Sequence, residues 1–310
     1  MKGPLLIAAA SIVWGIGIFL RKIILVDTSS TVLTAYSYAL TSGILLLSKD
    51  VRKKSLKAFM ENKLMFLALG IFGVMGIWFF LYGLDLNSVT ISTIIMRIQP
   101  IIAILFAMAF LKEKVSLYKV PWIILSLILV CIVVIDSDKL SLLSFSEESL
   151  TFDFIKNVIS PQKDISLLGV ASFIFAAISW VISDVIGKKL SNKKIEAEVL
   201  TLIRFTLGTI IMIVPCILLI KTSGFNAFYL SSYNIVLTIV SAITSIMLGF
   251  TLFYKGLELT SVIVSSFLQL LTPVVSISLG VMFLGEKISL IQIIAALLLF
   301  LSVTVISRRD

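Results

Sequence analysis

The chain has 310 residues, 59% of them hydrophobic and only 14% charged, with a mean hydropathy of +1.13 and a formal net charge of +9. A soluble protein of 34.1 kDa needs a mixed, charged surface that this composition cannot supply, which excludes a water-soluble enzyme or adaptor and places the chain in a lipid bilayer. The positive charge does not indicate nucleic acid, because the basic residues are scattered between hydrophobic runs and form no patch interleaved with aromatics.

A helix needs roughly 17 to 25 mainly apolar residues to cross about 30 Å of hydrocarbon. Ten stretches meet that length: 4–20, 31–48, 64–82, 89–111, 119–136, 166–187, 199–220, 234–254, 260–284 and 288–306. The first could pass for a signal peptide, but its small run Ala8-Ala9-Ala10 precedes the apolar core and no cleavage-like site follows, so it reads as a retained helix. Cys131 and Cys216 both fall inside apolar stretches and offer neither a disulfide framework nor a thiolate metal site.

With the N-terminus inside, the cytoplasmic segments carry 17 basic residues and the external ones 7, among them Arg21 and Lys22, while Arg97 and Arg204 fall within spans. The positive-inside rule therefore predicts N-in and C-in. The connection 137–165 carries five acidic residues against three lysines and reads as an external linker, either a plain solvated loop or a gating element.

Phe80 to Ser116 aligns without a gap on Phe253 to Ser289, 173 residues later, with 14 of 37 positions identical. Five spans precede the linker and five follow it. An odd number per half turns the second copy over in the membrane, so the predicted fold is an all-α membrane protein of ten helices in two inverted five-helix repeats. Such repeats place a substrate site where the halves meet and supply a gate on each side.

The matching segments run from Gly83-Leu84-Asp85-Leu86 through Pro100 to Phe110-Leu111-Lys112-Glu113-Lys114, and from Gly256-Leu257-Glu258-Leu259 through Pro273 to Phe283-Leu284-Gly285-Glu286-Lys287. With Trp14-Gly15 in the first span and Arg204-Phe205 in the seventh, this pattern resembles the EamA-type transporters of the drug/metabolite transporter superfamily over essentially the whole chain. The first half departs from it with Ser37-Tyr38 where the second has Arg204-Phe205. The resemblance implies a repeat at 1–136, a linker at 137–165 and a second repeat at 166–310. It further implies an exporter of metabolites or amino acids in the cytoplasmic membrane, with a central pore.

Ionisable groups at membrane depth are costly and usually face a cavity or a partner. Arg97 lies near the middle of its span, followed by Gln99 and by Pro100, which frees a backbone carbonyl. A guanidinium there suits a substrate carboxylate or phosphate, with a structural carbonyl contact as the alternative. Gln269 and Thr272 precede Pro273 at the matching depth of the second copy and serve either ligand or interhelical hydrogen bonds. Asp184 and Arg204 fall at similar depth on consecutive helices, where an ion pair would act as a gate latch or as packing. Trp14 and Tyr38 are candidates to line the pore, Trp180 standing at a place comparable to Trp14, although membrane aromatics also serve as core packing.

The chain has no histidine, no H-E-x-x-H, no paired intramembrane carboxylates and no G-x-S-x-G elbow, so an intramembrane enzyme lacks its parts and no cofactor or metal is implied. A secondary transporter of small, carboxylate-bearing metabolites fits best. A lipid or lipid-linked sugar flippase and a non-transporting membrane scaffold remain open, as does a homodimer.

Overall fold

The computed structural model describes residues 2–86, 95–96, 98–134, 166–284 and 290–307. Among them every regular element is helical: α1 (Lys2–Ile24), α2 (Ser30–Leu46), α3 (Lys49–Glu61), α4 (Lys63–Leu86), α5 (Gln99–Leu111), α6 (Val120–Val134), α7 (Leu167–Asn192), α8 (Ala197–Ser223), α9 (Ser232–Ser241), a π-helical stretch (Ala242–Leu248), α10 (Gly249–Glu258), α11 (Val262–Leu268), α12 (Leu271–Leu284) and α13 (Leu290–Ser307).

Among the described residues, six continuous helical segments are long and apolar enough to cross a membrane. α5, α6 and α13 are shorter apolar helices, and α2 and α3 form a pair bent by 106°. Each span expected from the sequence overlaps one of these segments. Leu5, Ile12, Leu105, Ile213 and Leu297 turn outward on them, which is stable only where the surroundings are lipid. Arg97, the linker 137–165 and the Glu286-Lys287 turn lie outside the described residues.

Serine hydroxyls set several helix starts. Those of Ser29, Ser48, Ser166, Ser231 and Ser261 each accept a backbone N–H from the third residue on, satisfying a donor that an apolar helix end would leave bare. Ser48 starts α3, an amphipathic helix in a stretch that hydropathy passes over as a basic connection; it buries Ser55 and Ala58 and exposes its lysines. The proline signal marks a true interruption, since α11 ends at Leu268 and α12 begins at Leu271 with Gln269 and Leu270 in the break. The corresponding break in the first copy falls just before α5, whose first turn contains Pro100.

Packing follows one rule. α1 lies on the α9–α10 span and on α12, and α7 lies in the same way on α4 and α5. α2 pairs with α8, and α6 with α13. Exchanging the two halves leaves this set of pairs unchanged. The end that carries α3 and the turns after α5, α7 and α10 is rich in lysine and is called the basic end below.

Candidate functional site

Arg204 organises the middle of the bundle. It lies on α8 about seven residues, or roughly 10 Å, from the basic end and is only 5% exposed. Its Nη1 donates to the Tyr254 hydroxyl at 2.8 Å, and the guanidinium carbon stands 4.6 Å from the Phe250 ring centre. These contacts offset part of the cost of burying a charge, the ring face supplying a cation–π attraction. The guanidinium fits because Gly73 on α4 has no side chain, and a methyl group there would lie 3.1 Å from Arg204 Nε. That Nε is buried without a hydrogen-bond partner among the described residues, so the cation retains unused donor capacity.

Around it runs a chain of aromatic rings. Trp14 lies 5.0 Å from Phe250 and 5.2 Å from Phe253, Phe205 lies 5.0 Å from Phe250, and Tyr38 meets Phe205 edge-on at 4.7 Å. Trp14 is half-buried and its Nε1 is unpartnered, as is Oγ1 of Thr272 on the helix that packs against α1. Asp184 on α7 accepts a long hydrogen bond of 3.4 Å from Gln269 Nε2 at the α11–α12 break. It is half-buried.

The structure therefore brings Trp14, Tyr38, Asp184, Arg204, Gln269 and Thr272 to the central helices. Gln99 stands half-buried at the start of α5. One expectation changes: Asp184 and Arg204 do not close into a salt bridge. Arg204 is directed to Tyr254 and Phe250 and Asp184 to Gln269, so the two charges sense each other without direct contact. Arg97 lies outside the described residues.

The basic end is tightly closed. Lys188 Nζ donates to the carbonyls of Leu257, Glu258 and Thr260 at 2.6, 3.1 and 2.9 Å. Glu113 takes the N–H groups of Val262 and Ile263 on its two carboxylate oxygens at 2.8 and 3.1 Å. Lys112 makes this possible, since its left-handed φ of 56° ends α5 and turns the chain so that Glu113 faces α11. An ammonium and a carboxylate thus grip both polar faces of one turn. Lys194–Glu258, Lys255–Glu198 and Lys54–Glu196 add solvent-exposed pairs, and hydrogen bonds to Asp50 and then Glu196 raise the Lys54 pKa.

The opposite end differs. α7 packs on α10 at the basic end, whereas the pair that replaces it on exchange of halves, α1 and α4, has no comparable contact. A crevice of about 450 Å³ opens at that end, lined by Tyr36, Leu40, Phe228, Tyr229, Ile235 and Thr238 among others.

Sequence reasoning counted Arg21 as an external charge; it lies half-buried near the end of α1. Trp14, Gly17, Arg21 and Ile24 recur at helical spacing on one face, Ile24 is fully buried beyond Arg21, and Arg21 Nε is sealed from solvent without a partner among the described residues. The i, i+3, i+7 spacing to Trp14 was the available signal.

The profile of the EamA-like transporter family matches residues 1–135 and 167–308. The chain belongs to the EamA-like transporter family. A riboflavin transporter, ImpX, of Fusobacterium nucleatum is 26% identical over 318 residues, covering 99% of this chain and 98% of its own. A solved crystal structure superposes with a TM-score of 0.72 at 15% identity, covering 98% of this EamA-like chain and 95% of the other, a likeness of fold. EamA-like membership makes the protein an integral, multi-pass membrane transporter, a non-enzyme class.

Proposed function

We propose that the chain is a secondary transporter of a small planar aromatic metabolite, with riboflavin the first candidate, working by alternating access between two inverted repeats in the cell membrane. The observation that carries this reading is the central cluster. Trp14 and Phe250 offer ring faces, while Trp14 Nε1, Thr272 Oγ1 and Arg204 Nε are buried donors left unpartnered among the described residues. Buried polar groups are normally satisfied, so unspent donors beside clustered aromatic rings suit a flat ligand with carbonyl and ring-nitrogen acceptors at its edge. The name of the relative from Fusobacterium agrees with that chemistry.

In this reading the basic end is cytoplasmic, with both termini inside, as the positive-inside rule requires. The grip of Lys188 and Glu113 is the closed inner gate, and the poorly packed α1–α4 side is the outer path. In this state the centre communicates with the outside, and exchanging the roles of the halves opens the inner side.

An aromatic amino acid is the second reading. Asp184 and Arg204 present opposite charges that do not neutralise each other directly and would meet an ammonium and a carboxylate.

Equilibrium dialysis of the purified full-length chain against riboflavin and tryptophan tests both. Saturable riboflavin binding that weakens about tenfold or more in Trp14→Leu, the loss of one stacking ring and one donor, is expected. Binding of tryptophan alone moves the assignment to the second reading, and binding of neither overturns the site.

A further inference from the structure

Among the described residues, Arg21 is a cation that the central cluster does not use. It stands seven residues beyond Trp14 on the same face of α1, about 10 Å further toward the open end. Its side chain is half-buried with Nε sealed from solvent, Tyr38 lies near enough to act on it electrostatically, and no carboxylate among the described residues pairs with it. α9 and the π-helical stretch pack on α1, and α2 packs on both of them; α2 and α9 contribute small hydroxyls. Ser37 Oγ on α2 and Thr238 and Ser241 Oγ atoms on α9 are buried and unpartnered among the described residues. Exchange of the halves puts Gly187 at the place of Arg21, so the duplicated packing does not require this charge. A guanidinium without a counter-charge, on a corner that also holds unspent hydroxyl donors, is a costly arrangement unless an anion visits it.

We infer that Arg21 is a subsite for an anionic group, phosphate or carboxylate, carried by the substrate about 10 Å from the ring that rests on Trp14. The inference rests on the Trp14 cluster being the ring site proposed above. It names the substrate class more closely: an aromatic system bearing an acidic tail on a short flexible chain. Guanidinium groups favour planar, bidentate recognition of such anions, and the Ser37, Thr238 and Ser241 hydroxyls would complete the shell.

The test is equilibrium dialysis of the full-length chain with two probe pairs, riboflavin against riboflavin 5′-phosphate and indole against indole-3-acetate, in wild type, Arg21→Gln and Arg21→Lys. Wild type is expected to bind the anionic member roughly tenfold more tightly, as a hydrogen-bonded charge contact allows. Arg21→Gln binds the members of each pair alike, whereas Arg21→Lys keeps a preference. Anion preference in the indole pair with no binding of either flavin would remove riboflavin as substrate and leave the subsite standing. Absence of preference in both pairs, preference intact in Arg21→Gln, or preference lost equally in Arg21→Lys overturns the subsite. So does failure of every probe to bind.

Discussion

The two halves of the molecule share their packing but not their chemistry. Trp14 rests on Gly249, and Trp180, at the equivalent place of the second half, rests on Gly76, the equivalent of Gly249. Phe253 flanks the first tryptophan and Phe80 the second, at 5.2 and 5.6 Å. Ile7 lies on Gly256 and Phe173 on Gly83 in the same relation. The polar residues do not follow: Arg204 answers to Ser37, Tyr254 to Leu81, and Arg21 to Gly187. A duplicated scaffold therefore encloses asymmetric polar residues, and the exchange relation separates what holds the helices together from the residues proposed to meet the substrate.

The sharpest break comes at Arg204. Arg204→Met removes a buried, charge-assisted bond of roughly 1.5–3 kcal/mol, so riboflavin affinity is expected to fall about 10- to 100-fold. Placing the opposite charge at its counterpart, Ser37→Glu, does not restore binding if the site is one-sided, and dialysis reads both. Next are the paired glycines. A methyl group at Gly249 would lie 2.6 Å from Trp14 Nε1, and one at Gly76 would lie 2.3 Å from Trp180 Cδ1. Gly249→Ala and Gly76→Ala should each destabilise by about 1–3 kcal/mol through overpacking, seen as lower thermal midpoints in detergent. Unequal losses would contradict the shared scaffold.

A smaller effect is expected at the gate. Lys188→Ala leaves three carbonyls without their ammonium, and a loss of about 1–2 kcal/mol shifts the population toward an opened basic end. Cysteine labelling at Ser265, which is buried in the closed state, should accelerate about tenfold. Smallest is Lys54→Ala, which breaks exposed pairs with Asp50 and Glu196 and should leave both the thermal midpoint and the labelling essentially unchanged.

Much of the fold was legible because bilayer thickness fixes span length and a gapless internal match fixes the relation of the halves. The prolines announced the break at Gln269, and ionisable residues inside apolar stretches pointed to Asp184 and Arg204. What escaped depends on distances across helices. Arg204 turns to Tyr254 and not to Asp184 because Gly73 clears a path for its side chain, which no spacing along α8 reveals. Arg21 looked external because charge counting treats a helix end as solvent, whereas Ile24 beyond it is fully buried. The hold of Glu113 on α11 joins residues 149 and 150 positions apart, and only the folded chain displays it.

The most direct measurement is counterflow of labelled riboflavin into proteoliposomes loaded with unlabelled riboflavin, comparing wild type with Arg204→Met. The account predicts transient, saturable accumulation with wild type that is lost in the variant, while the variant keeps its folded size-exclusion profile. Accumulation no greater than in protein-free liposomes, or equal in both proteins, would contradict a central carrier site built on Arg204 and the Trp14 rings.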